Sequence, residues 1–164
     1  MTWGIPTDLF LKIHVVLSLV GIVSGLFVLR ALVGGRLHCG WTWLFLATTV
    51  LTSVTGYPLL PFGWDPARIV GTISLVVLAI AIAAYALFHL AGAWRWIYVV
   101  TATIALYFNC FVGVVQAFAK IPYLHALAPT QAELPFKVAQ AALLALFVVL
   151  GFFAVKRTRR EGIG

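Results

Sequence analysis

The chain is a succession of long apolar runs separated by short polar or Pro/Gly-rich breaks, which read "GGRLHCG", "PFGWDPA", "AGA" and "KIPYLHALAPTQAEL". A bilayer core about 30 Å thick needs roughly 20 apolar residues in helix, and inside hydrocarbon a helix satisfies its own backbone. Cutting at the breaks predicts five spans, at about residues 9–33, 41–60, 68–90, 94–119 and 135–155. Three short connections force antiparallel neighbours, and the fourth has room for structure of its own. The expectation is therefore an all-α integral membrane bundle of five transmembrane helices, a single domain over residues 1–164. Inside the last break, Thr130-x-x-Glu133 reads as a capping box opening the final helix, with Pro135 in its first turn.

Two of the breaks are alike. His38, Gly40, Trp41 and Trp43 follow one apolar run, and His89, Gly92, Trp94 and Trp96 follow another. The match predicts a parallel repeat of two hairpins plus a fifth helix. Convergence on one physical need also explains it, since any helical turn at a membrane surface favours a glycine and interfacial aromatics.

Composition changes the picture in one direction only. With 63% hydrophobic and 9% charged residues, the chain is far from soluble norms, where about a quarter of residues are charged. The net charge of +7 does not point to nucleic acid, because Lys156, Arg157, Arg159 and Arg160 directly follow an apolar helix. Lys and Arg cluster on the cytoplasmic side of membrane proteins. Arg30, Arg36, Arg95 and the four tail residues fall on one side; Lys12, Arg68, Lys120 and Lys137 fall on the other. This places the C-terminus in the cytoplasm and the N-terminus outside, in a bacterial inner membrane. Trp3 and Trp64 on the outer face, with Trp41, Trp43, Trp94 and Trp96 on the inner, fit two aromatic belts. The first ten residues carry no basic n-region, so the first apolar run is expected to stay as a helix rather than be cleaved. Cys39 and Cys110 have no paired spacing and suggest neither a disulfide nor zinc.

Ionisable groups within spans are functional candidates. His14 lies in the first span, and His14, Ser18, Gly21 and Gly25 follow one helix face. Such a groove admits a neighbouring helix closely or the flat face of a porphyrin. In the fourth span Asn109, Gln116 and Lys120 form a stripe beside Gly113, and the second span carries Thr48, Thr52 and Thr55 on one face and Thr49, Ser53 and Gly56 on the next. Tyr123 and His125 sit in the long fourth break. No acidic residue lies deep in a span, which argues against a carrier with a midplane carboxylate, and no phosphate loop or catalytic motif is present. His14 with His125 on the outer face, and His38 with His89 on the inner, are candidate axial ligands for haem b.

The first-helix histidine, the "RLH-x-G" turn and the stretches "HLAGAWRWIYVVTA" and "VQAFAKIPYLHALAPTQAELPF" resemble small polytopic bacterial inner-membrane proteins with domains of unknown function. More distantly, helix count and histidine placement look like cytochrome b561-type haem proteins, which would imply haem b. The leading expectation is a non-catalytic membrane module. It would bind a small hydrophobic or planar ligand at His14, Ser18, Gly21, Gly25, Asn109, Gln116, Tyr123 and His125, or assist a membrane complex, with a membrane-protein partner or a second copy of itself. The alternatives are a haem b electron carrier or membrane oxidoreductase, and a channel or uncoupled carrier along the Asn109/Gln116 stripe.

Overall fold

A computed structural model describes residues 4–59 and 66–161 of the chain. Trp3 and Trp64, assigned above to the outer face, lie outside the described residues. Among the described residues there are six α-helices: α1 (Thr7–Val33), α2 (Cys39–Gly56), α3 (Pro66–Ile82), α4 (Trp94–Lys120), α5 (Pro122–Leu127) and α6 (Leu134–Glu161). No β-strand occurs among the described residues.

Among the described residues, four helices are long and apolar enough to cross a membrane, falling within α1, α3 with its extension, α4 and α6. The second of the five expected spans is not among these four. Helix α2 has 18 residues and carries Thr42, Thr48, Thr49, Thr52, Ser53 and Thr55, so hydroxyls dilute its hydropathy. A short 3-10 turn, Tyr57–Leu59, follows it. The sixth helix is α5, formed within the long fourth break because Pro122 occupies its first turn, where a missing N–H costs little. The expected capping box is also displaced. Thr130 Oγ1 donates to Glu133 Oε1 at 2.8 Å, but α6 opens at Leu134 and its first backbone bond runs from Lys137 N–H to the Glu133 carbonyl. Glu133 therefore precedes the helix, and Thr130 belongs to the turn before it.

Helices α1 and α2 pair antiparallel, with His14 meeting Thr55, Gly21 meeting Thr49, and Gly25 meeting Phe45. Helix α4 is the central element and packs against α1, α2, α3, α5 and α6. Small residues permit the closest approaches. A Cβ at Gly25 would stand 2.5 Å from Leu106 and 2.8 Å from Phe45, and one at Gly21 would stand 2.9 Å from Asn109 Nδ2. All three distances are shorter than real Cβ contacts allow, so glycine at these two positions sets the spacing of α1, α2 and α4.

The buried core is concentrated at one end of the bundle. Leu29, Leu32, Phe45, Leu46, Leu78, Tyr98, Ala102 and Leu106 are all nearly inaccessible and form one cluster. The same end gathers the arginines: Arg157 lies against Gly35, and the Arg159 guanidinium sits 5.1 Å over the Trp96 ring. The outside of the bundle is apolar, with Val16, Val76, Val148 and Phe152 each more than half exposed.

The two similar turns take different conformations. The first closes through Gly35 at φ 72°, whereas the second places His89 and Leu90 at φ 46° and 57° before Gly92. A π-helical turn, Ala83–Leu87, precedes the second and has no counterpart in the first. What they share is an aromatic stack, Phe27 on Trp41 at 4.8 Å and Phe88 on Trp94 at 3.8 Å.

Candidate functional site

Where the core ends, the opposite half of the bundle opens into a cavity of about 450 Å³ between α1, α2, α3 and α4. Its walls come from the first halves of α1 and α3 and the last halves of α2 and α4, so it faces the end at which Lys12, Arg68 and Lys120 lie. His14, Ser18, Asn109 and Gln116 all line it, and Gly113 and Lys120 share the α4 wall. Spacing along single helices had put each pair on one face. The fold brings the two faces together across the same space.

His14 bonds across to α2. Its Nδ1 lies 2.9 Å from Thr55 Oγ1. The Thr55 hydroxyl proton is directed to the Leu51 carbonyl at 2.7 Å. With that proton on Leu51, Thr55 Oγ1 accepts from His14, and the neutral ring then carries its hydrogen on Nδ1 and the lone pair on Nε2. Ser18 returns its hydroxyl to the His14 carbonyl at 3.0 Å.

Several hydroxyls of α2 are satisfied within the helix, Thr48 on Leu44 O at 2.7 Å and Ser53 on Thr49 O at 3.0 Å. This is how such residues sit at low cost in an apolar helix. Three polar atoms of the lining break that pattern: Asn109 Nδ2, Thr49 Oγ1 and Thr52 Oγ1 are buried without a hydrogen-bond partner among the described residues. At the opposite end of the cavity the Tyr57 hydroxyl and Thr72 Oγ1 are 2.6 Å apart, and Arg68 donates to the Tyr57 carbonyl at 3.2 Å. Arg68, Thr49, Thr52 and Ser74 were not singled out as one site from sequence, because nothing in a linear pattern pairs α2 with α3.

Other expected site residues fall elsewhere. Gly21 and Gly25 do not line the cavity. They are filled by Thr49, Asn109, Phe45 and Leu106, so the groove below His14 is a helix-packing contact with no room for a porphyrin face. Tyr123 is 73% exposed and His125 is exposed on α5; neither borders the cavity. Tyr85, one turn before His89, packs against Trp43 and Tyr98. His38 and His89 are exposed at helix turns, and His38 borders a separate shallow pocket with Arg30, Arg36 and Trp41. No cluster of three or more His, Cys, Asp or Glu able to hold a metal forms among the described residues. The cavity lining does not supply two histidine axial ligands for a haem: His14 is ordered by Thr55, and no second described histidine joins it there.

The cavity is blind. Beyond Asn109 and Thr49 the space closes on Phe45, Leu106 and Leu78 of the core. Scanned against protein-family models, curated proteins and solved structures, the chain matches none.

Proposed function

We propose that the protein is a non-catalytic membrane module that admits a small, largely apolar molecule from the membrane or its outer surface into the cavity between α1 and α4. The observation that carries this reading is the convergence of His14, Ser18, Asn109 and Gln116 on one 450 Å³ space, a size within the range of about 300–1,000 Å³ usual for small-molecule pockets. Apolar side chains such as Val15, Ile22, Phe108 and Val112 supply the rest of the wall, and the few polar groups orient what enters. The blind floor weighs against a channel along the Asn109/Gln116 stripe.

In this reading α2 also crosses the bilayer, as the fifth and least apolar span. It is shielded by α1 and α3, against which it packs. The arginine-rich end faces the cytoplasm of a bacterial inner membrane, and the cavity opens toward the outside. The lipid bilayer is the partner; nucleic acid is not. The shared Phe–Trp stacks support two hairpins of one design, while their unlike turns limit any repeat to that.

Native mass spectrometry of the protein released from nanodiscs tests the proposal. A bound mass in the wild type that is lost when Val112→Trp fills the cavity supports it. Identical spectra for both proteins, free of any adduct, contradict it. The haem alternative rests on His14 alone, whose Nδ1–H bond to Thr55 is the kind of support an axial ligand receives. A Soret band in the purified protein that disappears in His14→Ala would replace the first reading with the second.

A further inference from the structure

Resting on the bilayer embedding of the bundle and not on the cavity, we propose that the pocket at the α1–α2 turn holds the phosphate of an anionic phospholipid, whose acyl chain runs along the outer face of α1. This pocket, about 380 Å³, lies at the arginine-rich end and is walled by Phe27, Arg30, Arg36, His38 and Trp41. Helix α1 brings Phe27 and Arg30 to one face, three residues apart. The turn through Gly35, at φ 72°, then folds the chain back, with the Arg36 amide donating to the Ala31 carbonyl at 2.8 Å. The second arginine is thereby returned beside the first. Trp41, in the first turn of α2, stacks on Phe27 at 4.8 Å and closes the apolar side.

Charge sets what this pocket selects. Two arginines line it and no carboxylate does. Both are exposed, and neither pairs with an acid among the described residues; the ion pair of Lys12 with Asp8 stands at the opposite end. Neighbouring cations are engaged elsewhere, Arg159 over Trp96 and Lys156 6.0 Å from the Phe152 ring centre. Guanidinium forks match phosphate oxygens, and two of them favour a net anion over a zwitterion, whose ammonium they repel.

The surface leading to the pocket selects a lipid over a soluble phosphate. Val16, Val23 and Phe27 are 57%, 51% and 50% exposed, and with Arg30 they follow the i, i+7, i+11, i+14 course of one helix face. From Val16 to Phe27 this apolar face runs about 16 Å, close to half of a hydrocarbon core about 30 Å thick. It is one leaflet deep. An acyl chain lying on it delivers its phosphate one turn further on, at Arg30.

The test uses the full chain in nanodiscs of equimolar phosphatidylglycerol and phosphatidylcholine with matched acyl chains, and native mass spectrometry counts the lipids retained on release. The wild type should retain one phosphatidylglycerol in preference to phosphatidylcholine by about tenfold or more, the scale of two arginines at an anionic surface. The preference should fall to about twofold or less in Arg30→Gln/Arg36→Gln, and separately in Ala31→Glu, which adds a carboxylate to the pocket with both arginines in place. Arg95→Gln/Arg160→Gln removes the same charge from the same end and should keep it. No preference in the wild type, or its survival in Arg30→Gln/Arg36→Gln, overturns the proposal. Equal loss in Arg95→Gln/Arg160→Gln assigns the retention to diffuse charge and overturns the site, and displacement by excess inorganic phosphate overturns the lipid as its occupant. Loss in Val112→Trp would put the lipid in the cavity and overturn the placement; retention there upholds this site whether or not the cavity binds a ligand.

Discussion

The imidazole Nδ1 of His14 lies 2.9 Å from Thr55 Oγ1, a hydrogen bond that joins α1 to α2 at the wall of the cavity. With the Thr55 proton on the Leu51 carbonyl, 2.7 Å away, His14 is the donor and its hydrogen sits on Nδ1. Nitrogen NMR of the labelled protein should show a neutral His14 ring protonated at Nδ1 and bare at Nε2. In Thr55→Val the two tautomers should mix, with a loss of about 0.6–2 kcal/mol in stability, the range for hydrogen bonds between membrane helices. A ring protonated at Nε2 in the wild type would refute the assignment.

Glycines at helix crossings are separable by what a methyl group would meet. Gly25→Ala would force Leu106 and Phe45 apart from contacts of 2.5 and 2.8 Å and should cost about 1–3 kcal/mol, the usual range for overpacking. At Gly56 and Gly113 the nearest atoms are 3.5 Å away. Alanine there should be neutral or stabilise by up to about 1 kcal/mol through helix propensity. Unfolding in mixed micelles measures all three, and similar losses at all three positions would contradict the packing described.

The turn before α6 carries a pH signature. Glu133 accepts from the Thr130 hydroxyl at 2.8 Å and from the Thr130 and Ala132 amides at 3.2 and 3.1 Å. The Thr130 hydroxyl first, with these amides, holds its carboxyl below the usual glutamate range. A depressed carboxylate stabilises the fold above its unfolded pKa, and that contribution is lost as pH falls through the folded value. Hydrogen-exchange protection of the Thr130 and Ala132 amides should therefore be present at neutral pH and fade in acid below the ordinary glutamate range. Glu133→Ala should lack it throughout.

Orientation is accessible through a native thiol. Cys39 is exposed at the arginine-rich end, whereas Cys110 is only half-buried within α4. A membrane-impermeant maleimide should modify Cys39 in inside-out vesicles and leave it untouched in intact spheroplasts. The opposite pattern would reverse the topology.

How much of this was legible in the sequence varies by residue. Helices α1, α4 and α6 follow from apolar length, and His14 with Ser18, or Asn109 with Gln116, follows from helical spacing, which is a local property. That these two faces meet across one cavity is not local, and neither is the role of Gly21 and Gly25, whose small size is equally consistent with a porphyrin or a helix until Phe45 and Leu106 are placed. Helix α2 was legible as a helix; its hydroxyls concealed which of them bond within the helix and which, like Thr49, remain open. His125 and Tyr123 looked individual because proline isolates them, and the same prolines put them on a short surface helix away from the cavity.

Photolabelling tests the central claim most directly. A small apolar diazirine equilibrated with the protein in proteoliposomes reaches both lipid-facing side chains, such as Val148 at 62% exposure, and the cavity wall at Val15, Ile22, Phe108 and Val112. The account predicts saturable labelling on the wall peptides of α1 and α4 that Val112→Trp abolishes while labelling at Val148 is unchanged. Labelling confined to Val148 and the other outward faces, and unaffected by Val112→Trp, would contradict it.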